Sequence, residues 1–170
     1  MAISFIVVTI LFTCTAAFQF KTGQCPEVGA IDDFEMDKFL GVWHVVQGTV
    51  TGNPVECLTF NVTHSDANRF SLTQLPQNLT SDLTVPAQTA PSRMIINLGD
   101  SNGSFNVLVT DYDHFAVFFI CRNISDEKFQ RAAAILSRTK SISNDRYELV
   151  KQRLFNSDIF DDDLTAVLTC

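Results

Sequence analysis

Between residues 42 and 138 apolar and polar side chains alternate in short runs, and turn-forming residues interrupt them roughly every ten positions. Alternation of period two puts one face of an extended segment against a core and the other in water. The runs that carry it are 42–50, 57–64, 69–75, 83–87, 93–98, 105–111, 115–122 and 132–138. Eight strands are enough to close a barrel, and connections this short set successive strands side by side and antiparallel. Asp100-Ser-Asn-Gly103 supplies an Asn-Gly signal for a tight hairpin, and residues 111–114 form the next short connection. The period then changes. Ser143-Asn-Asp145 offers helix caps, and Tyr147, Val150 and Leu154 share one face of the segment that follows. Asp145 near its start and Lys151 and Arg153 near its end suit the helix dipole. The expected fold is all-β: an eight-stranded antiparallel up-and-down β-barrel with one C-terminal α-helix packed outside.

Residues 1–17 carry no charge and hold an apolar run from Ile3 to Phe12, followed by Thr15, Ala16 and Ala17. This pattern predicts a signal peptide over 1–17, a single domain over 18–170, and a secreted protein. The run is shorter than the ~20 residues of a membrane-spanning helix, and every later apolar stretch is broken sooner, so no transmembrane segment is expected in the mature chain. Of the five cysteines, Cys14 falls within the leader. Cys25, Cys57, Cys121 and Cys170 remain, an even set with three conceivable pairings. None forms a CxxC, and the chain's three histidines are His44, His64 and His114, so no metal or redox cofactor is expected. Asn61-Val-Thr63, Asn78-Leu-Thr80, Asn102-Gly-Ser104 and Asn123-Ile-Ser125 each satisfy the N-glycosylation pattern. A net charge of −7 argues against nucleic acid or an anionic membrane as partner. The acidic run Asp158-Ile-Phe-Asp-Asp-Asp163 reads as a solvated loop, since it lacks the central glycine and closing glutamate of a calcium loop.

Phe39-Leu-Gly-Val-Trp43 resembles the G-x-W signature of the lipocalins, and the block from Val107 to Cys121 resembles that family's Thr-Asp-Tyr turn with its flanking strands. Arg138 falls where the family's third block places an arginine, and Cys25-Pro26 is similar to the start of mature apolipoprotein D-like and insect bilin-binding members. The resemblance spans nearly all of 25–170. It implies disulfides Cys25–Cys121 and Cys57–Cys170, and a barrel floor in which the Arg138 guanidinium lies over the Trp43 indole, a cation–π contact of roughly 1–2 kcal/mol when partly desolvated. His44, Val45, Phe118 and Phe119 depart from the family's usual residues, which points to a drier cavity.

Asn61, as a glycosylation acceptor, points outward, which turns Leu58, Phe60 and Val62 inward. Trp43 sets Val45 and Gln47 inward on the first strand, and Arg138 sets Leu136 and Ala134 inward on the last. The family's register adds Phe70, Leu72 and Gln74, then Phe105, Val107 and Val109, and finally Phe118. These residues are the expected lining of a pocket that holds a neutral or weakly polar ligand. The resemblance implies an extracellular carrier of a small hydrophobic molecule, such as a lipid, bile pigment, retinoid or carotenoid, linked to lipid transport and protection against oxidative stress. It leaves a cell-surface receptor open as a further partner. The alternative is a lipocalin that acts through a protein partner with a vestigial cavity. An isomerase-type lipocalin enzyme needs a free cavity cysteine, and with four paired cysteines the chain is not expected to be an enzyme. Asp113-His114 suggests an acid–base pair but reads more simply as a solvated corner. An immunoglobulin domain fails on the distance from Trp43 to Cys121, on Phe119 in place of the corner tyrosine, and on the helix around Tyr147.

Overall fold

The computed structural model describes residues 18–49, 57–154 and 164–166; residues 1–17, expected to be a signal peptide, the run Asp158 to Asp163 and Cys170 lie outside the described residues. The described elements run β1 (Gln19–Thr22), α1 (Met36–Phe39), β2 (Gly41–Gly48), β3 (Thr59–Asp66), β4 (Arg69–Leu75), β5 (Leu79–Thr84), β6 (Arg93–Asn97), β7 (Asn102–Thr110), β8 (Phe115–Ser125), β9 (Lys128–Ser137), α2 (Asn144–Leu154) and β10 (Thr165–Ala166). Strands β2 to β9 each pair with the next, and β9 returns to β2, so an eight-stranded antiparallel barrel closes. Closure removes the free edges that an open sheet would expose.

β9 is longer than its contact with β2. Its lower half pairs with β2 from His44↔Ser137 to Gly48↔Ala134. Its upper half pairs with β1 from Gln19↔Arg131 to Thr22↔Lys128. β1, which the alternation pattern does not announce, thus supplies the backbone partners that β2 cannot reach. β10 adds a similar short pairing to β2 at Gly48 and Gln47.

Several expected boundaries move, and two of the shifts have a local cause. β5 occupies Leu79–Thr84 instead of 83–87. Its sequence LTSDLT is mostly polar because one face meets solvent, so it lacks the apolar run that marked the other strands. The β6–β7 hairpin turns at Gly99 and Asp100, not at Asn102-Gly103: the Leu98 N–H donates to the Ser101 carbonyl at 2.9 Å. Gly99 takes the left-handed φ of +87° that the turn requires. Gly103 instead lies within β7 and faces inward, where a Cβ would lie 3.0 Å from the Cys121 carbonyl oxygen.

α2 lies outside the barrel as expected. Val150 and Leu154 are buried against Phe115, Val117 and Ile135, which are the outward residues of β8 and β9. The segment around Cys25 and Val28 covers the next stretch, over Phe119, Cys121, Phe129 and Ala133. β8 is consequently buried on both faces from Phe115 to Cys121. That double burial explains why it reads as a continuous apolar run where its neighbours alternate.

Candidate functional site

The inward rows converge on one interior. Val45, Phe60, Val62, Phe70, Leu72, Phe105, Val107, Phe118, Ala134 and Leu136 share a single apolar cluster, with Leu58 packed against it. Gln74 stands on the same row as Phe70 and Leu72 and is buried, opposite Phe60. Leu83, Met94, Ile96, Ala116 and Ile120 join this cluster although no inward residue was expected from strands β5 and β6.

Burial along these rows is graded. On β8 the inward residues Ala116, Phe118 and Ile120 are 0%, 4% and 7% exposed, and Arg122 above them is half-buried. On β3, Val62 is 1% exposed, Phe60 is 8% exposed, and Leu58 is half-buried. Both edges of a barrel strand are paired with neighbours, so the small residual surface of an inward side chain faces the interior. The end near α1 is therefore filled by side chains, and residual exposure rises toward the opposite end along β3 and β8, while Phe105 and Ile96 stay buried on the β6–β7 wall. At mid-height Phe118 stacks on Phe105 with ring centroids 5.1 Å apart and meets Phe60 edge-on at 5.4 Å. The three rings form a layer across the interior, above the fully buried residues of the closed end.

Two expected lining residues face the other way, and a bulge accounts for each. In β2 the register with β9 slips between Val45 and Gln47. One extra residue reverses the face of everything beyond it. Gln47 therefore points outward, where its Oε1 accepts from the Tyr147 hydroxyl at 2.7 Å and its Nε2 donates to the Leu164 carbonyl at 3.0 Å. Gly48 takes the inward place, its missing Cβ directed at Ala134 and Val45. In β7 the same slip falls between Val107 and Val109. Val109 lies outside with the cluster beneath α2.

At the closed end Trp43 is fully buried, and its indole N–H donates to the Phe39 carbonyl at 2.8 Å. The Arg138 guanidinium lies 3.6 Å from the Trp43 ring centroid. Its Nε donates to the Tyr112 carbonyl at 2.9 Å, and its terminal nitrogens donate to the Val42 and Lys38 carbonyls at 3.0 and 2.9 Å. Burial lowers the Arg138 pKa from its ordinary value, and the charge of Asp113 works in the opposite direction. Gly41 is glycine for two local reasons: it adopts φ of +97°, and a Cβ there would sit 3.4 Å from the Arg138 guanidinium. The Thr-Asp-Tyr turn completes the floor. The Tyr112 hydroxyl accepts from the Glu35 N–H at 2.9 Å, and its ring packs on Phe34.

No protein-family model matches the chain. Insecticyanin-B of Manduca sexta is similar to it, at 27% identity over 163 residues that cover 86% of this chain and 79% of that protein. Apolipoprotein D of Cavia porcellus is 26% identical over 117 residues, covering 62% of this chain and 61% of the other. The solved structure of insecticyanin from the tobacco hornworm superposes with a TM-score of 0.68 at 20% identity, covering 89% of each chain. Its relatives are lipocalins, and its barrel is the lipocalin fold.

The N-terminal segment of the chain is held to β8 by a disulfide between Cys25 and Cys121. Cys57 is disulfide-bonded as well, and its expected partner Cys170 lies outside the described residues. All three described cysteines are thus unavailable as thiols. Asn61 stands on β3 with outward parity, beside Thr73 and Val42. Asn78, Asn102 and Asn123 are exposed at the open end of the barrel. Asn123 Oδ1 accepts the Cys25 N–H at 2.8 Å, which leaves its Nδ2, the atom a glycan would take, outside that bond. His114 pairs with Asp111 instead of Asp113: its Nδ1 lies 2.9 Å from Asp111 Oδ2. Asp111 Oδ1 accepts the N–H groups of His114 and Phe115 at 2.8 and 2.9 Å. Burial pushes the Asp111 pKa up, but these bonds and the His114 ring together hold it below the ordinary value. This is a turn cap at the corner of the floor, far from the accessible interior. Among the described residues no cluster of three or more His, Cys, Asp or Glu could hold a metal ion, and no helix is long and apolar enough to cross a membrane.

Proposed function

We propose that this chain is an extracellular carrier that holds one small apolar molecule in the upper half of its barrel. The observation that supports the reading is the graded burial of the inward rows, complete at the Trp43 floor and lower at Leu58 and Arg122 beyond the Phe60, Phe105 and Phe118 layer. Walls of phenyl and aliphatic side chains with Gln74 as a lone amide suit a lipid, bile pigment, retinoid or carotenoid body, whose affinity would come chiefly from removing apolar area from water. The likeness to insecticyanin and apolipoprotein D supports the same reading. The disulfide and the exposed sequons support an extracellular setting. With the described cysteines bonded, the chain has no thiol for isomerase chemistry in its described part, and binding is its proposed activity.

Titration of the secreted full-length chain with a fluorescent apolar probe tests this. Saturable one-site binding is expected, displaced by an unlabelled apolar competitor and weakened at least about tenfold by Ala134→Trp, which projects an indole into the interior beside Phe118. Absence of saturable binding, or binding that Ala134→Trp leaves unchanged while near-ultraviolet circular dichroism stays native, would overturn the proposal.

A further inference from the structure

The inward rows do not end on apolar residues. Above Ile120 the next inward position of β8 is Arg122, paired in register with Gln130, which stands above Ala132 and Ala134 on β9. Gly103, the inward residue of β7 at this level, would place a Cβ 3.5 Å from that of Arg122, so the arginine stem crosses the space that the glycine leaves open. One step further up, Lys128 shares its face with Gln130 and holds its ammonium 4.4 Å from the Phe20 ring centroid. The open end therefore carries two cations on the faces that continue the interior wall.

The partners of Arg122 are neutral. Its Nε and one terminal nitrogen donate to Gln130 Oε1, and the other terminal nitrogen donates to Ser101 Oγ at 2.6 Å. A guanidinium has five N–H donors, so two remain while the charge stays uncompensated. Asp100, Asp126 and Glu127 stand in the nearby turns, yet among the described residues no carboxylate pairs with Arg122 or Lys128. The same rim also exposes two large apolar side chains, Phe20 and Leu79, the latter on the inward row of β5 opposite Gln74. Cations beside exposed apolar surface, above an apolar interior, match a molecule with an oily body and an anionic head.

We propose that Arg122, assisted by Lys128, recognises the head group of the ligand, and that the ligand is an amphipathic carboxylic acid whose apolar body fills the upper interior while its carboxylate meets the guanidinium at the rim. This deepens the carrier reading and rests on it. It sets the anion at the water-facing end, where ionisation costs little, and so differs from an anion buried in the core.

The experiment compares a long-chain carboxylic acid with its methyl ester by direct titration of the secreted full-length chain, wild type beside Arg122→Gln, Lys128→Gln and Arg122→Lys. In the wild type the acid is expected to bind about tenfold tighter than the ester. Arg122→Gln is expected to bring the two within about twofold by weakening the acid alone, Lys128→Gln to narrow the gap partly, and Arg122→Lys to keep part of it. Equal wild-type affinities, or an Arg122→Gln variant that weakens acid and ester alike, would overturn the head-group proposal while the ester's binding still upheld the carrier. Binding of neither molecule would overturn both.

Discussion

Replacing Arg138 by methionine keeps most of the apolar stem and removes the charge and every donor. In the folded protein this breaks three hydrogen bonds to main-chain carbonyls and the stack on Trp43. The Val42 and Lys38 carbonyls are exposed, water can replace the guanidinium there, and each bond contributes roughly 0.5–1 kcal/mol. The half-buried bond to the Tyr112 carbonyl contributes roughly 1–2 kcal/mol, and the cation–π contact about 1 kcal/mol. The expected loss is about 3–5 kcal/mol, a large share of the 5–15 kcal/mol typical of a domain. Denaturant unfolding measures it, and Trp43, the chain's one tryptophan, reports from the site itself through its fluorescence. Arg138→Lys should recover less than half, because an ammonium cannot span three carbonyls and lie flat on an indole at once. A loss under about 1 kcal/mol for Arg138→Met, with the Trp43 emission maximum unmoved, would refute the claim that this residue holds the floor.

Other outcomes follow from the same geometry. Gln47→Leu should cost about 1 kcal/mol through its bond to Tyr147, measured by denaturation, yet leave probe affinity within about twofold, since the side chain faces α2 and not the interior. Asp111 has a folded-state pKa below its unfolded one, so its contribution is present at neutral pH and fades as pH falls through the carboxylate range. The stability gap between wild type and Asp111→Asn should therefore shrink on acidification from neutral pH, and a gap that widens would contradict the assignment. Joint replacement of Cys25 and Cys121 by serine opens a link across 96 residues and should lower stability by up to about 4–5 kcal/mol, read as a shift in the denaturation midpoint.

The barrel, its outer helix and the inward rows of β3 and β9 could be read from alternation because burial on one face forces period two, while those of β4, β7 and β8 came from the family's register. The reading failed where the backbone departs from that period. Gln47 and Val109 each follow a bulge, and a single inserted residue leaves no mark in the hydrophobic pattern. β5 escaped because its solvent face and half-exposed inner face leave LTSDLT nearly polar. The turn at Gly99 was masked by a stronger two-residue signal at Asn102-Gly103, whose glycine answers to close packing instead. Arg122 was within reach: continuing the inward step from Phe118 through Ile120 arrives at it, and so does the mate of Gln130. The family's register supplied Phe118 alone on that strand, short of both Ile120 and Arg122.

β8 is wedged between two cores. Its seven residues from Phe115 to Cys121 carry no charge, and the sheet, the interior and the outer helix hide them on every side. Such a segment, released from its surroundings, is the kind of stretch that zips onto identical copies of itself. Asp113 and His114 stand just before it and Arg122 just after, charged or polar sentries that blunt stacking between chains. The strand that unites the two cores is thus also the one with most to lose if the chain opens, and the bond from Cys25 to Cys121 fastens the native cover directly to it.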